Sequence, residues 1–173
     1  MKTKLLLASA FAFLTMASVS CMKDRFDVGE GFEIYLTVTP YSDNLSIDYS
    51  QVDLDTFLLQ DTPILRYNDL LKYDTITHTL TLGISHDSLE VGNASVYGRM
   101  FMVTVDSKPI YCGFKWPVYS SVAPNWVFIE EPFEALDSLN DNEIIIKFMS
   151  DELTDPRLDK RIVDKLKADG KIE

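Results

Sequence analysis

Cysteine and histidine are scarce in this chain of 173 residues, which contains two of each. The two cysteines, Cys21 and Cys112, are too few for a disulfide framework or for a cysteine-rich zinc site. The CxxC and HExxH motifs, the P-loop and the dinucleotide-binding fingerprint are all absent from the sequence. The sequence therefore lacks the local signatures of redox, zinc-dependent and nucleotide-dependent enzymes, and it predicts no cofactor and no metal site.

Positive charge is also in short supply. The chain has 16 Lys and Arg residues against 27 Asp and Glu residues, which gives a net charge of −11. Since nucleic acids and anionic lipid headgroups attract basic surfaces, this balance argues against nucleic-acid binding and against electrostatic docking on a membrane.

The first 20 residues have the pattern of a signal peptide. Lys2 and Lys4 precede an apolar run at 5–14, and small residues lead up to Cys21. The apolar run is too short to remain as a membrane-spanning helix. Removal of residues 1–20 takes away two lysines and no acid, so the net charge of the mature chain changes from −11 to −13.

The cysteine at the end of this leader resembles the acylated cysteine of bacterial lipoproteins. That resemblance implies lipidation at Cys21 and a mature protein held in the cell envelope, specifically in the outer membrane, facing the periplasm or the surface. The alternative is an incidental cysteine after a plain signal peptide. If Cys21 is lipidated, residues 21–31 form the lipidated N-terminus and a charged tether with two glycines. Cys112 is left without an intramolecular partner, and we expect it to be a small buried side chain on a strand.

Residues 32–173 predict a single α+β domain, with a mostly antiparallel sheet of about six strands and a C-terminal helix packed on it. Alternating apolar residues predict strands at 32–40 and 75–84, and the second of these places His78 in an apolar row. The segments 99–106 and 108–116 predict a hairpin whose first strand is central, because it is apolar on both faces. Further strands are predicted at 126–132 and 142–149.

The C-terminal segment has clear helix boundaries. Asp155 is the predicted cap, Pro156 takes the first helical position and Gly170 ends the helix. Leu158, Ile162 and Leu166 recur at the spacing of one helix face, which predicts an apolar stripe against the sheet.

Two groups of side chains are candidates for chemistry or recognition. His78 together with carboxylates is the nearest approach to a hydrolytic site, although its place in an apolar row favours a core histidine. The loop 115–128 contains Trp116, Tyr119 and Trp126 around two prolines and a pair of serines. Its aromatic rings either form a recognition surface or close the end of the sheet. We expect Trp126 to be protected from solvent and Trp116 to be exposed.

Parts of the chain resemble bacterial secreted proteins. The segments "FMVTVDSKPIYCGFKWPVYSS" and "DPRLDKRIVDKLKADGK" are similar to a group of uncharacterised secreted proteins, a resemblance that implies no particular activity. The hairpin within the first segment also resembles one in the periplasmic head of the SecD translocation subunit. The leader, acidity and aromatic content resemble lipoproteins of the Bacteroides group. There, an Asp-Ser/Thr pair followed by a small or aliphatic residue is a site of O-glycosylation, which implies Ser88, Ser138 and Thr75 as candidates.

These observations favour a lipid-anchored envelope protein of non-enzymatic type that binds a partner or a ligand. Its expected partners are the membrane, through the lipid, and an envelope protein. Two alternatives remain open at this point: a periplasmic hydrolase that uses carboxylates with His78, and a structural subunit of an outer-membrane assembly.

Overall fold

A computed structural model describes residues 27–39, 47–89, 95–131, 133 and 139–172. The predicted leader, Cys21 and Ser138 lie outside these residues. The expectation of an α+β domain is confirmed, because two sheets and one α-helix share a continuous core in the described ranges. In the same ranges, no helix has the length and apolar character needed to cross a membrane.

The secondary structure begins at Phe32 and ends with a helix at Ala168. The strands are β1 (Phe32–Leu36), β2 (Leu70–Tyr73), β3 (Thr79–Leu82), β4 (Arg99–Val105), β5 (Lys108–Pro117), β6 (Val127–Glu131), β7 (Glu143–Ile145) and β8 (Lys147–Phe148), and helix α1 spans Lys160–Ala168. Short 3₁₀ turns occur at Leu54–Thr56, Tyr67–Asp69, His86–Leu89 and Pro156–Leu158. One sheet has the order β1-β4-β5-β6-β8 and the other has the order β2-β3-β7. Neighbouring strands are antiparallel except β5 and β6, which are parallel.

The predicted hairpin is present as β4 and β5. Its turn residues, Asp106 and Ser107, have φ angles of 49° and 63°. Positive φ at both central residues matches the twist of the flanking strands and gives a tight two-residue turn. Strand β4 lies between β1 and β5, and its residues from Met100 to Val105 are all buried. Its apolar character on both faces is thus explained by a central position.

The strand predicted at 75–84 is shorter than expected, and this part of the prediction is wrong. The Asp74 carboxylate accepts hydrogen bonds from the backbone N–H groups of Ile76 and Thr77 at 2.7 and 3.2 Å. An Asx turn of this kind competes with the strand conformation. Ile76 is consequently 88% exposed, and His78 has a left-handed φ of 57°. The strand starts only at Thr79.

The apolar segment predicted as one strand at 142–149 divides at Ile146. Its first part, β7, pairs with β3 in the small sheet, whereas its second part, β8, pairs with β6 in the large sheet. The N–H of Ile146 donates to the carbonyl of His78 at 3.1 Å. One continuous apolar run therefore joins the two sheets.

The C-terminal helix begins later than predicted. Asp155 caps only the 3₁₀ turn that contains Pro156, and Asp159 then adopts an extended ψ of 134° and caps α1. The extended residue interrupts the predicted apolar stripe, so Leu158 is largely exposed while Ile162 and Leu166 are buried. Gly170 ends the helical segment with a φ of 68°, as predicted.

The chain after α1 returns to the small sheet. The N–H of Tyr73 donates to the carbonyl of Lys171 at 2.7 Å, and Ile172 forms a parallel bridge with Tyr73. The ammonium of Lys171 donates to the carbonyl of Leu70. The outer edge of β2 is covered in this way by the last residues of the described chain.

Candidate functional site

A cleft of about 620 Å³ lies where the first residues of β5 meet two neighbouring segments. One segment, 49–54, contains a 3₁₀ turn, and the other, 152–160, leads into α1. Small-molecule sites in proteins have volumes of roughly 300–1,000 Å³ and combine apolar walls with a few convergent polar groups. This cleft, which we call the β5 cleft, is the candidate site.

The inner wall of the β5 cleft is aromatic and rigid. Tyr49 packs edge-on against Phe114, with ring centroids 5.1 Å apart. The indole N–H of Trp126 donates to the carbonyl of Cys112 at 2.9 Å. Tyr111 completes the wall, and its burial raises the pKa of the phenol well above the usual value. The wall is therefore uncharged at neutral pH and offers little freedom of movement.

The opposite wall presents a carboxylate, Asp155, whose orientation is fixed by Arg157. The guanidinium binds it in a bidentate manner, with Nε 2.9 Å from Oδ1 and Nη2 2.6 Å from Oδ2. The backbone N–H of Arg157 also donates to Oδ1 at 3.0 Å. Arg157 is held in turn by the carbonyl of Ile146, 2.7 Å from Nη1. Because bidentate pairs have a defined planar geometry, Asp155 faces the cleft in one orientation.

His78 lies behind Asp155 and outside the lining of the β5 cleft. Its Nε2 is 3.7 Å from Oδ2 of Asp155, and its Nδ1 shares a hydrogen bond of 2.7 Å with the hydroxyl of Tyr73. The sequence favoured a core histidine, and His78 is buried and hydrogen-bonded, although it does not lie in the apolar row of a strand. His78 follows the Asp74 turn and has a left-handed backbone conformation. Its side chain contacts Asp155, which lies nearly 80 positions further along the chain.

The protonation states of this network follow from burial and from the Arg157 charge. Burial lowers the pKa of His78, and the guanidinium lowers it further. Burial by itself raises the pKa of Asp155, but the hydrogen bonds and charge of Arg157 outweigh this effect and lower it. Burial raises the pKa of Tyr73. At neutral pH the network therefore consists of a phenol, a neutral imidazole and an ionised carboxylate–guanidinium pair.

The structure places the three aromatic residues of the loop 115–128 in different environments. Trp116 is only 4% exposed and Trp126 only 3% exposed, so the expectation of an exposed Trp116 is wrong. The Trp116 indole donates to the carbonyl of Val122 at 3.2 Å and packs edge-on against Phe114, which explains its burial. Tyr119 is 68% exposed. Trp116 thus packs at the end of β5 and Trp126 in the wall of the β5 cleft, and of the three residues only Tyr119 presents its ring to solvent.

The candidate modification sites are distributed over the surface. Ser88 is exposed at the end of a 3₁₀ turn, and Thr75 is partly exposed in the Asp74 turn. Cys112, by contrast, is a free and fully buried cysteine on β5, as expected. Burial raises the pKa of its thiol to about 12, which removes the thiolate needed for nucleophilic chemistry at neutral pH.

A second polar cluster was missed by the sequence analysis. Lys115 on β5 is 1% exposed, and its Nζ lies 2.9 Å from Oε2 of Glu131 on β6. The same ammonium donates to the carbonyl of Leu89 and lies 5.2 Å from the centroid of the Phe133 ring. The Glu131 oxygen accepts no hydrogen bond of good geometry, so the contact is ionic. A lone lysine inside the apolar run "YCGFKW" was the signal that could have revealed this pair.

Neither cluster resembles a metal site. Within the described ranges, no group of three or more His, Cys, Asp and Glu side chains is placed to hold a metal ion.

Comparison with protein-family models, with curated proteins and with solved structures gives no significant match to the chain.

Proposed function

We propose that this protein is a lipid-anchored cell-envelope protein that binds a partner or a ligand in the β5 cleft and has no catalytic role. The cleft supports this proposal because it joins a rigid aromatic wall to two carboxylates, Asp155 and Asp159, each held in a fixed orientation by a bidentate arginine. Preorganised groups of this kind favour binding, since little freedom is lost when a ligand enters. The leader and Cys21 support an anchor in the outer membrane.

The state of His78 and Asp155 favours binding over hydrolysis. A general base needs a free nitrogen within reach of the proton that it removes. Both nitrogens of His78 already face protein groups, Tyr73 on one side and Asp155 on the other. Asp155 accepts three hydrogen bonds from Arg157 and has a lowered pKa, so it is a poor proton donor near neutral pH.

One observation favours the hydrolase alternative. A neutral histidine stands 3.7 Å from a carboxylate that lines a cleft, which is a partial acid–base arrangement. Hydrolysis of nitrophenyl esters or nitrophenyl glycosides that is lost in His78→Asn and retained in His86→Asn would establish this second function and overturn the first.

The binding proposal is tested by filling the cleft. Gln51 lines the cleft and is exposed, so Gln51→Trp should obstruct it without disturbing the core. Ile76→Trp is the matched control, because Ile76 lies in an exposed turn outside the lining. Thermal-shift measurements against panels of sugars, dipeptides, amino acids and amines should identify a compound that stabilises the wild type and Ile76→Trp but not Gln51→Trp.

A pull-down from detergent-solubilised envelopes extends the same comparison to protein partners. A partner captured by the wild type and lost with Gln51→Trp supports the β5 cleft as its site. Stoichiometric capture of an outer-membrane assembly by both proteins would instead support the structural-subunit alternative. The anchor is tested separately: Cys21→Ala should leave the membrane fraction, and its persistence there at the mature mass would refute lipidation.

A further inference from the structure

The last residues before β1 are bound to the tip of the β4–β5 hairpin. The N–H of Gly31 donates to Oδ1 of Asp106 at 2.8 Å, and the N–H of Asp106 donates back to the carbonyl of Gly31 at 3.0 Å. The hydroxyl of Ser107 donates to the carbonyl of Gly29 at 2.9 Å. The chain segment that leads to Cys21 therefore leaves the domain at a fixed point beside this turn.

Helix α1 lies at the same end of the molecule. Gly31 has a φ of 75°, and a Cβ at this position would lie 2.0 Å from the ring of Tyr67. The hydroxyl of Tyr67 donates to Asp169 at 2.6 Å, and Lys165 lies 3.7 Å from Asp106. The exit point of the tether, the hairpin turn and the C-terminal helix thus form one contact cluster.

The distance from this cluster to Cys21 is short. The connection from Cys21 to Asp27 spans six residues and reaches at most about 20 Å when fully extended. A lipid on Cys21 would therefore hold the hairpin turn close to the membrane surface. Tyr119 lies beyond the other end of β5, a strand of ten residues and roughly 30 Å in length.

The charge at this end differs from that of the whole chain. Helix α1 contains Lys160, Arg161, Lys165 and Lys167 against a single acid, Asp164, which is a net charge of +3 in a protein of −11. Lys108 adds another cation on the hairpin, and Lys171 follows the helix. Five acids offset these two cations and the helix charge: Asp27, Glu30, Asp106, Asp169 and Asp159, the last of which is paired to Arg161. The end near the tether is therefore close to neutral, and the strong negative charge lies elsewhere.

Salt limits which of these charges a membrane experiences. Because the Debye length is about 8 Å at physiological ionic strength, an anionic surface interacts mainly with the nearest end of the molecule. Repulsion expected from the net charge is thus weakest at the tether end. Within the described ranges, Lys108 and Lys167 are exposed and are not engaged in an ion pair, so both remain able to contact phosphate groups.

We propose that the hairpin turn and the exposed face of α1 form the membrane-facing surface of this protein, with Lys108 and Lys167 directed at anionic lipid headgroups. This inference rests on the proposed lipid anchor at Cys21. The lipid on Cys21 and the contacts of the basic side chains with headgroups then favour the same orientation of the domain on the membrane. The opposite end, with the exposed Tyr119, faces away from the membrane.

The orientation is tested with the lipidated chain in vesicles of phosphatidylcholine, with and without phosphatidylglycerol. A fluorescent label is attached to Lys108→Cys in one protein and to Tyr119→Cys in another. Cys112 does not compete for the label, because it is buried and its thiol pKa is raised to about 12. We expect quenching by nitroxide-labelled headgroups to be several-fold stronger for the label at position 108. Equal quenching, or stronger quenching at position 119, overturns the orientation.

Two further comparisons separate the charge contribution from the anchor. Lys108→Gln combined with Lys167→Gln should weaken contact with phosphatidylglycerol vesicles, whereas Lys72→Gln combined with Lys147→Gln removes the same charge from β2 and β8 and should not. Identical behaviour of the two double variants refutes the headgroup contact. Mass spectrometry of Cys21 reports on the anchor itself. If Cys21 is unmodified, a histidine tag in place of residues 1–20, with Cys21→Ser and nickel-chelating lipids, holds the chain at the same point and still decides the orientation.

Discussion

Removal of the Lys115 ammonium should strongly destabilise the fold. The ammonium is 1% exposed, lies 2.9 Å from Glu131 and donates to the carbonyl of Leu89. Lys115→Met would leave the Glu131 carboxylate buried without its counter-charge and would remove the hydrogen bond to the carbonyl of Leu89. Breaking a buried ion pair on one side costs about 3–5 kcal/mol, a large part of the roughly 5–15 kcal/mol by which domains are stable. The melting temperature should fall by roughly 6–20 °C for a chain of this length.

The double variant Lys115→Met/Glu131→Leu removes both partners of the ion pair, whereas Lys115→Met leaves the Glu131 carboxylate buried and unpaired. Since an apolar replacement of a buried pair is often neutral or stabilising, the second substitution should restore most of the lost stability. Urea unfolding, followed by the fluorescence of the two buried tryptophans, measures Lys115→Met, Glu131→Leu and the double variant. A loss below about 1 kcal/mol for Lys115→Met would refute the argument. A double variant as unstable as the sum of the single ones would also refute it, because it would show no coupling between the two side chains.

Four other predictions follow from burial and backbone geometry. Cys112 should react slowly with a thiol reagent in the native state and rapidly in denaturant; fast native labelling would contradict its burial. Trp116→Ala and Trp126→Ala should each cost about 3–5 kcal/mol of stability, and both indoles should resist acrylamide quenching in the wild type. Gly113→Ala should destabilise the fold, because the new Cβ would lie 2.4 Å from the fully buried Phe101 ring. An unchanged urea midpoint would contradict this, since it would show that the Phe101 ring shifts without a loss of stability. The pKa of His78 is lowered in the folded protein, so the unfolded chain binds a proton at His78 more readily, and the free energy of unfolding should fall as the pH drops below about 6.5. His78→Asn should remove that part of the pH dependence, and Asn tolerates the left-handed φ at this position.

Local patterns in the sequence predicted the elements that depend on local physics. The two-sided apolar character of β4 and the burial of Ile162 and Leu166 follow from periodicity. The alternation at 32–40 predicted one buried face, and this is wrong for β1, whose five residues are all buried, Glu33 and Tyr35 included. The turn at Asp74 was missed because its side chain competes with the backbone for hydrogen bonds, which an alternating pattern does not reveal.

The candidate site was predicted less well, because its members converge from separate parts of the chain. Tyr73 and His78 come from one end of the small sheet, and Asp155 and Arg157 come from the turn before α1. Only the three-dimensional arrangement shows that His78 and Asp155 are neighbours. The burial of Trp116 depends on local contacts that the sequence pattern did not reveal, the hydrogen bond to Val122 six residues later and the packing on Phe114 two residues earlier.

The pairing of Tyr73 with Lys171 and Ile172 has a consequence for the order in which the fold assembles. A strand near the middle of the chain receives its outer partner from residues 171 and 172, which are synthesised much later. Strand β1 must similarly wait for β4, from which it is separated by about 70 residues. Contacts between such distant segments slow folding, and they leave apolar strands uncovered while the chain is incomplete. We therefore expect the emerging chain to depend on chaperones until Lys171 and Ile172 are available to pair with Tyr73, and we expect a chain truncated before Lys171 to accumulate as aggregates rather than as shortened folded protein.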